Sequence, residues 1–219
     1  MKKSVYSLVL SDGVVEEIDR LAYEMHTNRS QLVNRILAEY VSYVTPEKRF
    51  NDIFERVNMI LRELNAFQSL PKPSDTVMAI RSALGYKYNP TVKYSIELYR
   101  EDTPYLGELR VSLRTQNAAL VGYLDRFYRV FCDIEAALTG RSDVFFEGGR
   151  FLRKLRLRTN AASYNAVSSN TLGEVIAAYI RLFDDALKIW FASLDYPSIA
   201  AVKIESLYRT YLSKAQEII

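Results

Sequence analysis

The hydrophobic period of this chain changes from two to about 3.6 residues at Ser11, and that switch constrains what the first 45 residues can become. Tyr6, Leu8 and Leu10 alternate with Val5, Ser7 and Val9, as one face of a half-buried strand requires. Immediately afterwards Val14, Ile18, Leu21 and Met25 recur at spacings of three and four, with Ser11 placed to cap the helix they define. After His26-Thr27, the stretch Asn28-Arg29-Ser30-Gln31 offers a second cap. Leu32, Val33, Ile36, Leu37, Tyr40, Val41 and Val44 then form a broad apolar face on a second helix. One strand and two helices cannot close a core, and a lone strand leaves its backbone groups unpaired. The economical solution is a second copy, with two strands pairing antiparallel and four helices closing over the inner face.

The segments Val5-Tyr6-Ser7-Leu8-Val9-Leu10-Ser11-Asp12, Ile18-Asp19-Arg20-Leu21-Ala22, Asn28-Arg29-Ser30-Gln31-Leu32-Val33 and Ile36-Leu37 carry a family resemblance. Together they resemble the ribbon-helix-helix superfamily of Arc-, MetJ- and CopG-like repressors, over about a fifth of the chain. The resemblance implies a DNA-binding homodimer in which outward ribbon side chains enter the major groove and read base edges. It maps that role onto Lys3, Val5 and Ser7, with Tyr6, Leu8 and Leu10 inside. It maps phosphate binding onto Lys2 and onto the start of the second helix at Asn28, Arg29 and Ser30, where free N–H groups and the helix dipole suit an anion. Family readers are long and polar, whereas Val5 and Val9 offer only apolar contact, so direct readout is expected to be sparse.

Charge does not make this argument. The formal net charge is +3, and residues 1–45 hold five cations against six acids. The distinctive basic run lies elsewhere: Arg150, Arg153, Lys154, Arg156 and Arg158 follow one another with no acid among them. Read as a third strand with Leu155 and Leu157 inward, this run projects Lys154, Arg156 and Arg158 from one face. Arg110 and Arg114 could join them there as a second nucleic-acid contact.

Three regions are expected: the module at 1–45, a connecting helix and linker at 46–70, and an α+β domain at 71–219 that oligomerises or senses an effector. The whole is expected to be mostly helical, with a small antiparallel sheet. Thr45-Pro46 starts the connecting helix, and Phe50, Ile53, Val57, Ile60, Leu64 and Phe67 step by three and four along it. That spacing fits either a helix pair between subunits or an ordinary core helix. Leu70-Pro71-Lys72-Pro73-Ser74 reads as the linker. Further on, 74–84 reads as a short helix ending at Gly85, and 91–99 and 108–114 as the two strands of a hairpin. Helices are expected over 116–138, closing at Gly140, over 171–194 behind a Thr171-to-Glu174 capping box, and over 197–218.

No catalytic constellation, P-loop or dinucleotide fingerprint is present, so an enzyme is not expected. One histidine, His26, and one cysteine, Cys132, cannot supply a metal site, and no metal or cofactor is expected. The single cysteine excludes an intrachain disulfide and fits a reducing cytoplasm, and no run reaches the ~20 apolar residues of a membrane span. The 16 Tyr and 10 Phe could line an effector pocket, although aromatics such as Phe127 and Phe131 at helical spacing suit a core. The expected function is therefore a sequence-specific transcriptional repressor, a homodimer or tetramer on double-stranded DNA. The alternatives are an antitoxin-like protein or an assembly scaffold that uses the module only to pair chains.

Overall fold

The computed structural model describes residues 5–41, 43–100, 103–140, 143–156 and 167–214. The chain divides into two compact units, residues 1–49 and 50–219.

In the first unit, residues 5–10 form no strand within the single chain. Two helices follow, α1 (Asp12–Glu24) and α2 (Arg29–Tyr40). Asn28 caps α2, its side chain accepting from the Gln31 N–H at 3.0 Å. Between the helices the Thr27 N–H reaches the Ala22 carbonyl and the His26 N–H the Tyr23 carbonyl, the paired bonds of a Schellman turn. That turn puts His26 at φ +50°, a left-handed conformation ordinarily filled by glycine. His26→Gly should therefore raise the stability of the full chain by about 0.5–1 kcal/mol in urea unfolding, strain relief outweighing the added chain entropy.

Helix α3 (Pro46–Glu63) begins at Thr45, whose hydroxyl accepts from the Lys48 N–H. Its Phe50, Ile53, Phe54, Val57 and Leu61 are buried in the core of the second unit, so its apolar stripe is a core face. The six strands of that unit are β1 (Phe67–Ser69), β2 (Val77–Ala83), β3 (Thr91–Leu98), β4 (Gly107–Leu113), β5 (Val144–Glu147) and β6 (Arg150–Leu155). They form one antiparallel sheet in the order β1-β2-β3-β4-β6-β5. Its helices are α4 (Ala118–Thr139), α5 (Ser169–Phe191) and α6 (Pro197–Lys214), together with α3. The protein is thus α+β.

Inward residues Tyr94, Ile96, Leu109, Val111 and Phe151 share one core with Phe127, Phe131 and Phe183 of the helices. Phe183 sits 4.7 Å from the Phe151 ring and 5.0 Å from Phe131, close aromatic packing that leaves no room there for an effector. An open groove in this unit is lined by Asp52, Glu55, Arg56, Met59, Ser168 and Asn170, with no aromatic side chain among them.

Several expectations change. Residues 77–83 are a strand, not part of a helix: Ile80, Met78 and Ser82 point inward, and Ser82 donates to the buried Asp184 of α5. From Phe50 on, the stretch expected to connect two domains belongs to the second unit, because α3 packs into its core and β1 joins its sheet. The sheet is larger than expected, gaining β1, β2 and β5. Helix α5 is capped at Ser168, which accepts from the Thr171 N–H at 3.1 Å, rather than at Thr171. The β3–β4 hairpin and the Gly140 stop of α4 at φ +70° fall where the pattern puts them, and the third strand, expected over 151–158, runs Arg150–Leu155, with Leu157 and Arg158 outside the described residues.

Candidate nucleic-acid interface

Two sets of residues were expected to meet nucleic acid, one in each unit. In the first unit, Lys2 and Lys3 lie outside the described residues. Val5 and Ser7 are exposed in the extended segment, with Val5 and Val9 fully open to solvent. Tyr6, Leu8 and Leu10 are 83%, 60% and 42% exposed, so the even-numbered side chains are the better covered even in a single chain. At the start of α2, Asn28 is occupied as the cap, and the N–H groups of Arg29 and Ser30 keep no acceptor among the described residues. Arg29 is engaged elsewhere: its guanidinium grips the Asp19 carboxylate of α1 through two nitrogens, Nε at 2.7 Å. The same contact, Arg29 first as a hydrogen-bond donor, holds the Asp19 carboxyl below its usual range. Both groups are half-exposed, so this clamp is worth little in stability.

The apolar content of this unit is inverted. Among the described residues only Ala22, Leu32 and Ala38 are buried hydrophobics, while fourteen large apolar side chains between Val5 and Val44 are exposed, Tyr23, Ile36, Leu37 and Tyr40 among them. So many exposed large hydrophobics in so short a unit are rare on a folded monomer.

In the second unit the basic run separates. Arg153 points inward and is buried, ion-paired with Glu135 of α4 and hydrogen-bonded to the Tyr179 hydroxyl at 2.6 Å. Lys154 points outward and donates to Glu108 at 2.6 Å, which with Tyr99 and Arg110 holds the Glu108 carboxyl low against the opposing pull of burial. Arg110 also reaches outward, bridging Glu108 and Glu97, the latter at 3.2 Å. Arg110 and Lys154 thus lie near each other, but Glu108 stands between them and Glu97 takes the other side of Arg110. Arg156 is exposed just past β6 and has interactions of its own, Arg114 is exposed just past β4, and Arg158 lies outside the described residues.

Pattern reading alone missed the exposed cations Arg81, Lys93 and Arg150 on the same outward face. Registers Arg81↔Lys93 and Ser112↔Arg150, joined through Lys93↔Ser112, set them in one row. The signal was available only for Lys93, in the β3 alternation. Arg81 lies in a stretch whose apolar spacing also fits a helix, and Arg150 stands at the head of the basic run with no alternation to give it a face.

Cys132 sits in α4 among apolar neighbours, and burial pushes its thiol up to about 12. Among the described residues no group of three or more His, Cys, Asp or Glu side chains stands together as a metal site. No described helix is long and apolar enough to cross a membrane. No protein-family model, curated protein or solved structure matches the chain.

Proposed function

We propose that the chain is a homodimeric, sequence-specific DNA-binding transcriptional regulator, a repressor, whose first 45 residues form a ribbon-helix-helix module. The observation that carries this reading is the inverted apolar content of the first unit. Fourteen exposed large hydrophobics around an unpaired extended segment need a partner surface, and a second copy supplies one of matching shape and symmetry. Pairing residues 5–10 of two chains would satisfy their backbone groups and turn Tyr6, Leu8 and Leu10 toward the helices. Val5 and Ser7, with Lys3, would then face the major groove. The free N–H groups of Arg29 and Ser30 would meet a phosphate, with Asn28 holding the helix start and Lys2 adding charge. The second unit would oligomerise or receive a signal.

The test is a selection of genomic fragments by the full chain, with its oligomeric state measured by sedimentation. A dimer that enriches a defined sequence supports the reading, and a folded monomer defeats it. Ser7→Ala should leave the dimer intact and weaken the selected site by about 1 kcal/mol, roughly fivefold, the value of one hydrogen bond to a base edge. A second reading, a scaffold using the module only to pair chains, is favoured by Arg29 being spent on Asp19 and by the apolar Val5 and Val9. A dimer that enriches no sequence would select that reading.

A further inference from the structure

The outward face of the sheet handles like charges in two different ways. At one end Glu97 and Glu108 are register partners, an unfavourable arrangement, and Arg110 resolves it by bridging both carboxylates. At the other end Arg81 and Lys93 are register partners too, and no described residue resolves them. Arg81 donates to the neutral Gln68, at 3.0 Å, Lys93 and Arg114 have no acidic partner among the described residues, and Arg150 stands in register with Glu147 without an ion pair between them. One row therefore runs Gln68, Arg81, Lys93, Ser112, Arg150 across five adjacent strands, and Arg114 lies just past the end of β4. The one acid in that row is Glu147, at the sheet edge.

We infer that this row, Arg81, Lys93 and Arg150 with Arg114 beside it, binds the phosphate backbone of double-stranded DNA without reading its sequence. Arg81 and Lys93 have no acid beside them, so their counter-ion is external, and a row of cations suits a polyanion. Three strand spacings separate Arg81 from Arg150, about 14 Å, the length of about four phosphates of one DNA strand. Ala83, Ser95 and Ser112 beside the cations are small, so a backbone can approach them closely. Of the rings on this side, Phe145 lies on the edge strand β5 and Tyr99 lies at the far end beside Lys154, so the cationic row gives stacked single-stranded bases no platform. The choice of duplex DNA rests on the proposed function; the cationic row itself does not.

The test is the salt dependence of binding by the full chain to a fluorescent duplex of random sequence and to any selected fragment. The R81Q/K93Q/R150Q variant should lower the slope of log affinity against log salt by about 2.7, which at 0.1 M salt is about two to three orders of magnitude in affinity. Its thermal unfolding should be unchanged or raised, because a like-charge pair is relieved. R81K/R150K should keep the slope, and K203Q/R209Q/K214Q on α6, removing equal charge elsewhere, should keep it as well. An unchanged slope in the folded sheet variant, with sequence selection intact, overturns this inference and spares the proposed ribbon. A lowered slope in a chain that selects no sequence supports the row and removes the ribbon as reader. Loss of slope in the α6 control, no DNA binding at all, or loss only of binding to phosphatidylserine vesicles would each overturn it.

Discussion

Arg153→Met should destabilise the second unit by about 3–5 kcal/mol, measured by urea unfolding of the full chain. The side chains of Arg153 and Glu135 are 5% and 2% exposed, so neither charge can turn to water when the other is removed. Glu135 also accepts from the hydroxyls of Tyr179, at 3.2 Å, and Tyr208. Burial, with the Glu135 carboxylate adding to it, pushes both phenols well above their ordinary range, against the opposing pull of Arg153, so they remain neutral donors and cannot replace a cation. Burial alone would push the Arg153 guanidinium down. Tyr179, whose ring lies 4.3 Å beneath it, and Glu135 outweigh that and hold it above its usual value. Adding Glu135→Leu to Arg153→Met should recover most of the loss, because a pair replaced by apolar groups strands no charge. A cost below 1 kcal/mol for the single change, or no recovery in the double, would show that the pair does not hold α4, α5 and β6 together.

The same residue marks the boundary of what sequence can tell. The alternation at β3 and β4 was readable because each inward residue is apolar and each outward one is not: Val92, Tyr94, Ile96 and Leu98 on one side, Thr91, Lys93, Ser95 and Glu97 on the other. At β2 the rule fails twice, with Ser82 buried against Asp184 and Ala79 on the outward face. The remaining run, Val77, Met78, Ile80 and Leu84, then matches a helical spacing as well as a strand. At β6 the inward Arg153 looked like one more member of a solvated basic run. Its partner Glu135 is 18 residues away in α4, and no local pattern announces such a contact. Strands β1 and β5, of three and four residues, are too short for periodicity to register. Gly148-Gly149 was legible only as a turn. Their φ values of +57° and +74° close the tight β5–β6 hairpin that brings Arg150 beside Ser112.

The candidate interface divides along the same line. Caps and helix starts are local chemistry, and Asn28 does what its sequence position suggests. Whether a cation is free depends on which acid the fold brings opposite it, so Arg110 and Lys154 were legible as neighbours but not as neutralised ones.

Tyr6→Ala should convert the full chain from dimer to monomer at micromolar concentration, abolish specific DNA binding and leave the second unit folded. Within one chain Tyr6 is 83% exposed, yet it shares its strand parity with Leu8 and Leu10, the members of the segment with most cover. If two such segments pair as proposed, each Tyr6 ring passes from water into the shared core. Removing a buried aromatic ring costs about 3–5 kcal/mol, and every change in a homodimer occurs twice, giving about 6–10 kcal/mol per dimer. That is comparable to the whole stability of a small folded unit, about 5–15 kcal/mol, so the dimer should not survive. Val9→Ala is the matched control, because Val9 is fully exposed and would stay on the groove side after pairing. It should keep the dimer and change DNA affinity by a few fold at most. Sedimentation read beside a gel shift separates the cases. A Tyr6→Ala dimer that no longer binds DNA, with Val9→Ala falling to monomer, would mean that the two faces of the segment are exchanged and that the base-reading side chains are Tyr6, Leu8 and Leu10.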